Sequence, residues 1–255
     1  MKFLIIGDSW GCGEFRRIDN GKNIEVIPDT GPDYYLKNLG HEVVNLSRGG
    51  DCNFSGILRS AMTHLNTNEQ NIVDNDYDYI IWFHTEPIRD LIMFILNDNG
   101  EHLIEERQID INKFFPNFQQ YKFYDGMQYI CECNYTFAQQ IYNRHQIPFI
   151  VVGGVGYIDN CIKDFSFAKF TITSWLSELL GNVSVPQNMC MHPDMERAYR
   201  YYKSVDAENF LNEIDISDTL INLLFGHTKF PDNLHPNKEE IEKLTYRILE
   251  MVKNA

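Results

Sequence analysis

Short apolar runs and helix-like periodicities alternate along this chain. Four apolar runs predict buried strands, at residues 3–6, 42–46, 79–83 and 148–152. Apolar positions that recur at helical spacing predict helices at residues 32–39, 54–65, 127–145 and 238–252. Strands that alternate with helices in this way favour an α/β fold, with a mostly parallel sheet covered by helices on both faces.

Two longer stretches fit that alternation less well. Residues 98–126 are polar and aromatic, and residues 155–228 mix short apolar pieces with Pro, Asn and charged residues. We interpret both as elaborations on a single domain that spans residues 1–255, because loops added to a rigid core commonly determine substrate selectivity. A separate second domain is the alternative. It is disfavoured because the closing helix must return to the first strand.

The composition excludes several classes of partner. The net charge of −14 opposes contacts with nucleic-acid phosphates and with anionic membrane surfaces. No segment approaches the roughly 20 apolar residues that span a bilayer. The apolar N-terminal run, residues 2–6, is too short for the core of a signal peptide. We therefore expect a cytoplasmic protein with no membrane span and no nucleic-acid partner.

Neither the cysteines nor the six histidines other than His84 and His235 have the spacing of a metal site. The six cysteines are scattered, and Cys131 and Cys133 form a C-x-C pair with no second Cys or His pair nearby. We interpret them as unreactive thiols.

The first candidate for chemistry is the segment Gly7-Asp8-Ser9-Trp10, which follows the first predicted strand directly. Ligands of open α/β sheets bind at the carboxyl ends of the strands, so a serine here is placed to act as a nucleophile. Backbone N–H groups at a strand-to-helix junction can also surround a developing oxyanion. Taken alone, an Asp-Ser turn after a strand also fits an ordinary loop.

The second candidate lies just before the last predicted helix, where Asp232 and His235 are three residues apart. At this spacing on a turn, the carboxylate can bind one imidazole nitrogen and leave the other free to accept a proton from a serine. Pro236 suits the first position of the following helix. The alternative is that both residues are ordinary polar loop residues.

Together, the N-terminal Gly-Asp-Ser and the C-terminal Asp-x-x-His-Pro resemble the SGNH/GDSL hydrolase family. The segment after the third predicted strand, which is described below, resembles phage-encoded relatives. The resemblance implies a flavodoxin-like α/β/α sandwich and an esterase or deacylase that needs no metal or organic cofactor. It implies that Ser9 is the nucleophile, His235 the general base and Asp232 the residue that orients the imidazole.

A second block follows the second strand, in the segment from Asn45 to Asp51. It resembles the family segment that ends in an oxyanion-hole glycine, which spacing assigns to Gly50 with Gly49 as the near alternative. A glycine suits this role because a residue without a side chain lets its N–H approach the substrate oxygen. Asn53 either lines the same pocket or caps the next helix, and capping is the commoner role.

The third block departs from the family pattern. Family members carry Gly-x-Asn-Asp after the third strand, whereas this chain has His84-Thr85-Glu86 and no asparagine. The oxyanion hole would then depend on the backbone N–H groups of Ser9 and Gly50, with His84, Thr85 or Arg89 as substitute donors or substrate contacts. An unreplaced donor costs about 2.7–4 kcal/mol of transition-state stabilisation. Arg89 fits a substrate contact and an ion pair with Glu86 equally well.

The resemblance therefore implies a hydrolase of acyl esters, whose substrate is a small molecule or carbohydrate bearing a small acyl group. Trp10 is a candidate wall of the acyl or sugar pocket because it neighbours Ser9.

The missing asparagine favours a second hypothesis, a catalytically weak or inactive binding or assembly protein on the same fold. A nucleotide-binding flavodoxin-like domain is a third, but it gives no role to Asp232 and His235.

Overall fold

The computed structural model describes most of the predicted α/β core and both candidate motifs. The residues that it describes are 1–18, 23–49, 51–57, 77–87, 90, 123–154, 158–182, 224, 226–232 and 235–255. Gly50 and Arg89 lie outside the described residues, as do residues 58–65 of the second predicted helix.

The described residues form a parallel sheet and a separate antiparallel hairpin. The strands are β1 (Lys2–Gly7), β2 (Phe15–Ile18), β3 (Asn23–Val26), β4 (Glu42–Asn45), β5 (Tyr79–His84), β6 (Phe149–Gly153) and β7 (Ala168–Ile172). The sheet has the order β4-β1-β5-β6-β7, and each neighbouring pair is parallel. The strands β2 and β3 form the hairpin.

Helices cover both faces of this sheet. They are α1 (Pro32–Asn38), α2 (Asn53–Ser55), α3 (Phe123–His145), α4 (Trp175–Leu179) and α5 (Lys238–Lys253). One hydrophobic cluster packs α1, α4 and α5 against the odd-numbered side chains of β1, and a second packs α3 against the even-numbered ones. The predicted three-layer α/β/α sandwich is confirmed.

The sheet order explains why the candidate motifs meet. Counting only sheet strands along the chain, the order is 2-1-3-4-5, the flavodoxin-like arrangement. The order in which strands are added reverses at β1: the next strand, β4, lies on one side of β1, and all later strands lie on the other. Sheets of this kind bind ligands at this switch point, between β1 and β5. The segment that begins with Ser9 follows β1, and the segment that begins with Thr85 follows β5. Both therefore lie at this switch point.

Local capping sets the ends of two predicted helices. Helix α1 ends in a Schellman-type arrangement, in which His41 N donates to Leu36 O (3.1 Å) and Gly40 N to Lys37 O (2.9 Å). The prediction that Pro236 begins the last helix is wrong. Asn237 is the N-cap, and its side chain accepts a hydrogen bond from Glu240 N at 3.0 Å. The asparagine oxygen satisfies a free N–H of the first turn, so the helix begins after it.

The sequence analysis missed the hairpin and β7. Strand β7 lies inside the range 155–228 that we interpreted as an elaboration, and it alternates between partly buried and exposed side chains until Ile172. Its short, mixed pattern is typical of an edge strand and gives no continuous apolar run. None of the helices in the described part of the chain is long and apolar enough to cross a membrane.

Candidate active site

Ser9 begins a tight turn at the carboxyl end of β1. Gly7 has φ of 133°, and a Cβ atom there would lie 2.3 Å from the carbonyl oxygen of Phe83 on β5. Only glycine therefore allows β1 to approach β5 and then turn. The Asp8 side chain caps the turn by accepting from Trp10 N at 3.0 Å. Ser9 is thus held at the carboxyl end of a central strand, with 6% of its surface exposed.

Asp232 and His235 form a buried pair that is joined by two hydrogen bonds. Asp232 Oδ1 accepts the backbone N–H of His235 at 2.7 Å, and Asp232 Oδ2 lies 2.6 Å from His235 Nδ1. The two residues are 1% and 2% exposed. A carboxylate can only accept, so this contact places the imidazole proton on Nδ1 and leaves Nε2 as the basic nitrogen.

Contacts between aromatic rings bring the two ends of the chain together. Trp10, next to Ser9, packs against Phe230 with the ring centroids 6.1 Å apart. The His235 ring stacks on Phe15 at a centroid distance of 3.9 Å and an interplanar angle of 23°. Both Ser9 and His235 belong to the described part of the chain, and no hydrogen bond joins their side chains there. Such bonds often form or shorten only when substrate is bound.

The second block is tied to the Ser9 turn through Asn45. Its amide nitrogen donates to Gly11 O (2.9 Å) and to Asp33 Oδ1 (3.1 Å), while its oxygen accepts from Ser47 N (3.0 Å). The predicted oxyanion residue, Gly50, is outside the described residues. Gly49, the alternative, is exposed, and a Cβ atom there would meet nothing within 4 Å. The block therefore approaches the turn through its first residues.

Asn53 joins the second block to the third. Its amide donates to Thr85 O and its oxygen accepts from Thr85 N, both at 2.8 Å. This side chain is therefore a cross-link between two segments, and 1% of the residue is exposed. These hydrogen bonds join two segments and do not cap the next helix. The pocket contact of Asn53 stays a prediction.

A buried carboxylate, Asp90, anchors the same cross-link. It accepts from Phe54 N (2.7 Å), Asn134 Nδ2 (2.9 Å) and Asn53 Nδ2 (3.3 Å). Burial raises its pKa to about 6, although these donors and Cys52 pull the pKa down. The cost of removing the carboxylate from water therefore exceeds what the donors return.

The third block holds two buried residues that we considered as substitute oxyanion donors. Thr85 is 1% exposed, and its hydroxyl donates to Glu86 Oε2 at 2.8 Å. The His84 ring lies against Trp82 and Tyr135, on the sheet face opposite Trp10. Burial lowers the pKa of His84 to about 3, so its ring is neutral.

Two neighbours of Ser9 have simpler roles. Trp10 is fully buried and packs edge-on against Trp175 at 5.5 Å, so its ring belongs to the core rather than to an open pocket wall. Cys12 is a nearby thiol, but burial, followed by the charge of Asp8, raises its pKa to about 12. It remains protonated at neutral pH and does not compete as a nucleophile.

Among the residues that the structure describes, no group of three His, Cys, Asp or Glu side chains could hold a metal ion.

Sequence reasoning missed Phe15, Glu14 and Asp90. A turn signal for the first two exists, because the dipeptide Asn20-Gly21 is typical of a β-hairpin turn. The position of a hairpin next to the last helix is a tertiary contact and has no such signal. Asp90 has none either, since only the packed fold shows that it is buried.

No protein-family model matches the chain, and a search of curated protein sequences finds no match. Among solved structures, the chain is similar to the psychrotrophic esterase EstA from Pseudoalteromonas sp., at 11% identity and a TM-score of 0.41, covering 99% of this chain and 97% of that one.

It is also similar to Est24, a carbohydrate acetylesterase from Sinorhizobium meliloti, at 12% identity and a TM-score of 0.41, covering 99% and 98% of the two chains. A putative GDSL-like lipase from Parabacteroides merdae matches at 9% identity and a TM-score of 0.38, covering 98% and 95%. The solved structures that this chain resembles thus include esterases and a GDSL-like lipase.

Proposed function

We propose that this chain is a serine hydrolase that cleaves acyl esters, with Ser9, His235 and Asp232 as its catalytic residues. The observation that carries the proposal is the buried contact between Asp232 Oδ2 and His235 Nδ1, at 2.6 Å. Burying a carboxylate is costly unless it serves a strong hydrogen bond. This one orients an imidazole in a loop that packs beside the Ser9 turn.

In the proposed reaction, Ser9 Oγ attacks the acyl carbonyl carbon while His235 Nε2 accepts the hydroxyl proton. The tetrahedral intermediate collapses, His235 returns the proton to the leaving alcohol, and an acyl-enzyme remains. A water molecule, deprotonated by the same nitrogen, then releases the acid and restores Ser9. Asp232 stabilises the imidazolium that forms in each half of the reaction.

The proposed oxyanion hole uses the backbone N–H groups of Ser9 and Gly50. Thr85 is the substitute donor that we favour, because it carries a hydroxyl group and directly follows β5 at the switch point of the sheet. His84 is a weaker candidate, since its ring packs on the face of the sheet opposite Trp10. Arg89 remains the candidate contact for a charged substrate group.

We propose a small acyl group, such as acetyl, as the part of the substrate that is transferred. Ser9 and His235 are both nearly buried, which leaves little room for a long acyl chain beside them. A carbohydrate is the alcohol part that we propose. Comparing acetylated sugars with p-nitrophenyl acetate and p-nitrophenyl decanoate tests both parts of this substrate proposal.

The central experiment is labelling with a fluorophosphonate, followed by mass-spectrometric mapping of the adduct, together with hydrolysis of p-nitrophenyl acetate. We expect the adduct on Ser9, and we expect Ser9→Ala to lose both labelling and turnover. Ser166→Ala is a matched control because Ser166 is exposed and bonds to Gln139 on α3. Equal turnover by the wild type and Ser9→Ala would refute the proposal.

A second candidate function is a binding protein that retains the fold without turnover. Two observations favour it: the third block lacks the family asparagine, and the described residues include no hydrogen bond between Ser9 and His235. A protein that takes no phosphonate but binds acetylated sugars in calorimetric titration would support this candidate over the hydrolase.

A further inference from the structure

One aromatic ring covers a face of the candidate general base. Phe15 is the first residue of β2 and is 5% exposed. Its ring lies 3.9 Å from the His235 ring, centroid to centroid, at 23°. The contact is therefore a stack on the flat face of the imidazole, whereas Asp232 binds the ring at its Nδ1 edge.

The residue before Phe15 fastens this hairpin to the loop that carries His235. Glu14 Oε2 accepts the backbone N–H of Lys238 at 2.6 Å, at the first turn of α5. The backbone of Glu14 is fixed in turn, because its N–H donates to Thr30 Oγ1 (2.9 Å) and its carbonyl accepts from Ile27 N (2.8 Å). A carboxylate at a helix N-terminus is favourably placed both as an acceptor and with respect to the helix dipole.

These two contacts restrict the imidazole in different directions. The Asp232 bond holds one edge of the ring but permits it to tilt about the Nδ1–Oδ2 axis. A flat ring stacked on the imidazole opposes that tilt and keeps water from that face. It also places a π face against the imidazolium that forms during turnover, which favours the cation.

We propose that Phe15, held by Glu14, is a positioning residue that fixes the plane of His235 and so directs Nε2 toward Ser9. The inference rests on the proposed function and assigns a role to the hairpin. Phe15 acts through His235, so its removal changes the chemical step and leaves substrate binding intact.

The kinetic test compares Phe15→Leu, which keeps most of the apolar volume but not the flat face, with Phe15→Tyr, which keeps the ring. For p-nitrophenyl acetate we expect kcat of Phe15→Leu to fall about tenfold with KM unchanged, equivalent to about 1.4 kcal/mol in the barrier. Phe15→Tyr should recover most of kcat. Phe165→Leu is the matched control, because this partly buried Phe packs against the other face of the sheet.

A spectroscopic test does not depend on turnover. The Nδ1–H proton of His235, bonded to Asp232, should give a low-field proton resonance, assigned by its loss in His235→Gln. We expect this resonance in the wild type, in Phe15→Tyr and in Phe165→Leu, and its broadening or loss in Phe15→Leu. If the wild type neither hydrolyses esters nor takes phosphonate, the proposed function fails, whereas this spectrum still tests the positioning by Phe15.

In folded Phe15→Leu, an unchanged kcat or an unchanged imidazole resonance would overturn the inference. If Phe15→Leu does not fold, Glu14→Ala provides the second variant. It removes the acceptor for Lys238 N and should lower kcat without raising KM. A rise in KM with unchanged kcat in Glu14→Ala would assign the hairpin to substrate binding and would also overturn the inference.

Discussion

The buried carboxylate of Asp90 should make the stability of this protein depend on pH in an unusual direction. Its pKa rises from the ordinary 3.8 to about 6 because burial disfavours the ionised form. The native carboxyl therefore takes up its proton below about pH 6, whereas the unfolded one does so below about pH 4. Between these values the native state binds the extra proton, so acid favours folding at this site.

The expected magnitude follows from the same two pKa values. One pKa unit corresponds to 1.36 kcal/mol, so Asp90 should stabilise the native state by roughly 2–3 kcal/mol more at pH 4 than at pH 7. Asp90→Asn removes the titration while keeping the size of the side chain. The free energy of unfolding of the wild type, minus that of Asp90→Asn, should therefore increase by this amount as the pH falls from 7 to 4.

The assay is equilibrium urea unfolding at half-unit steps between pH 4 and pH 7.5. Using the difference between the two proteins cancels the titration of every other group that both share. Asp164→Asn is the matched control, because it makes the same substitution at an exposed aspartate. A difference for Asp90→Asn that stays constant, or that decreases toward acid, would refute the assignment of a raised pKa to Asp90.

Three further predictions concern the site and its scaffold. Asp232→Asn should lower kcat about 10⁴-fold with the protein still folded, because the amide favours the wrong tautomer of His235; ester kinetics check it. Gly7→Ala should lower the free energy of unfolding, measured in urea, by about 1–3 kcal/mol or more, since the added methyl group meets a backbone oxygen at a residue of positive φ. The control Gly49→Ala, where the methyl group meets nothing, should change it by less than about 0.5 kcal/mol. His84→Leu should remove an acid-induced loss of stability, because the native ring stays neutral to about pH 3 whereas the unfolded ring takes up a proton below about pH 6.5. In urea unfolding, the free energy of unfolding of the wild type should therefore fall, relative to that of the variant, by up to about 1.4 kcal/mol per pH unit below pH 6.5.

The fold was predictable from the sequence where apolar runs are continuous. Strands β1, β5 and β6 are buried on both faces, so residues 3–6, 79–83 and 148–152 contain no polar interruption. Strand β7 lies at the edge of the sheet, and its partly exposed residues carry a weaker signal. The hairpin contains Arg16 and Arg17, so hydrophobic periodicity does not find it.

The chemistry of the site was predictable only in part. A spacing of three residues on one turn suffices to bring a carboxylate to an imidazole, and the structure places Asp232 and His235 in contact. The ring that stacks on His235 and the carboxylate that fixes Asn53 depend on long-range packing instead. No local pattern encodes either contact, because each partner comes from a segment distant in the chain.

The hydrogen bond from Lys238 to Glu14 joins residues that are 224 positions apart. Closing so long a loop costs chain entropy before any contact offsets it, and contacts between distant residues are slow to form. During refolding, β1 can pair with its neighbours while the His235 loop is still undocked. The recovery of phosphonate reactivity should therefore lag behind the recovery of secondary structure, so that reactivity reports the docking of the last helix.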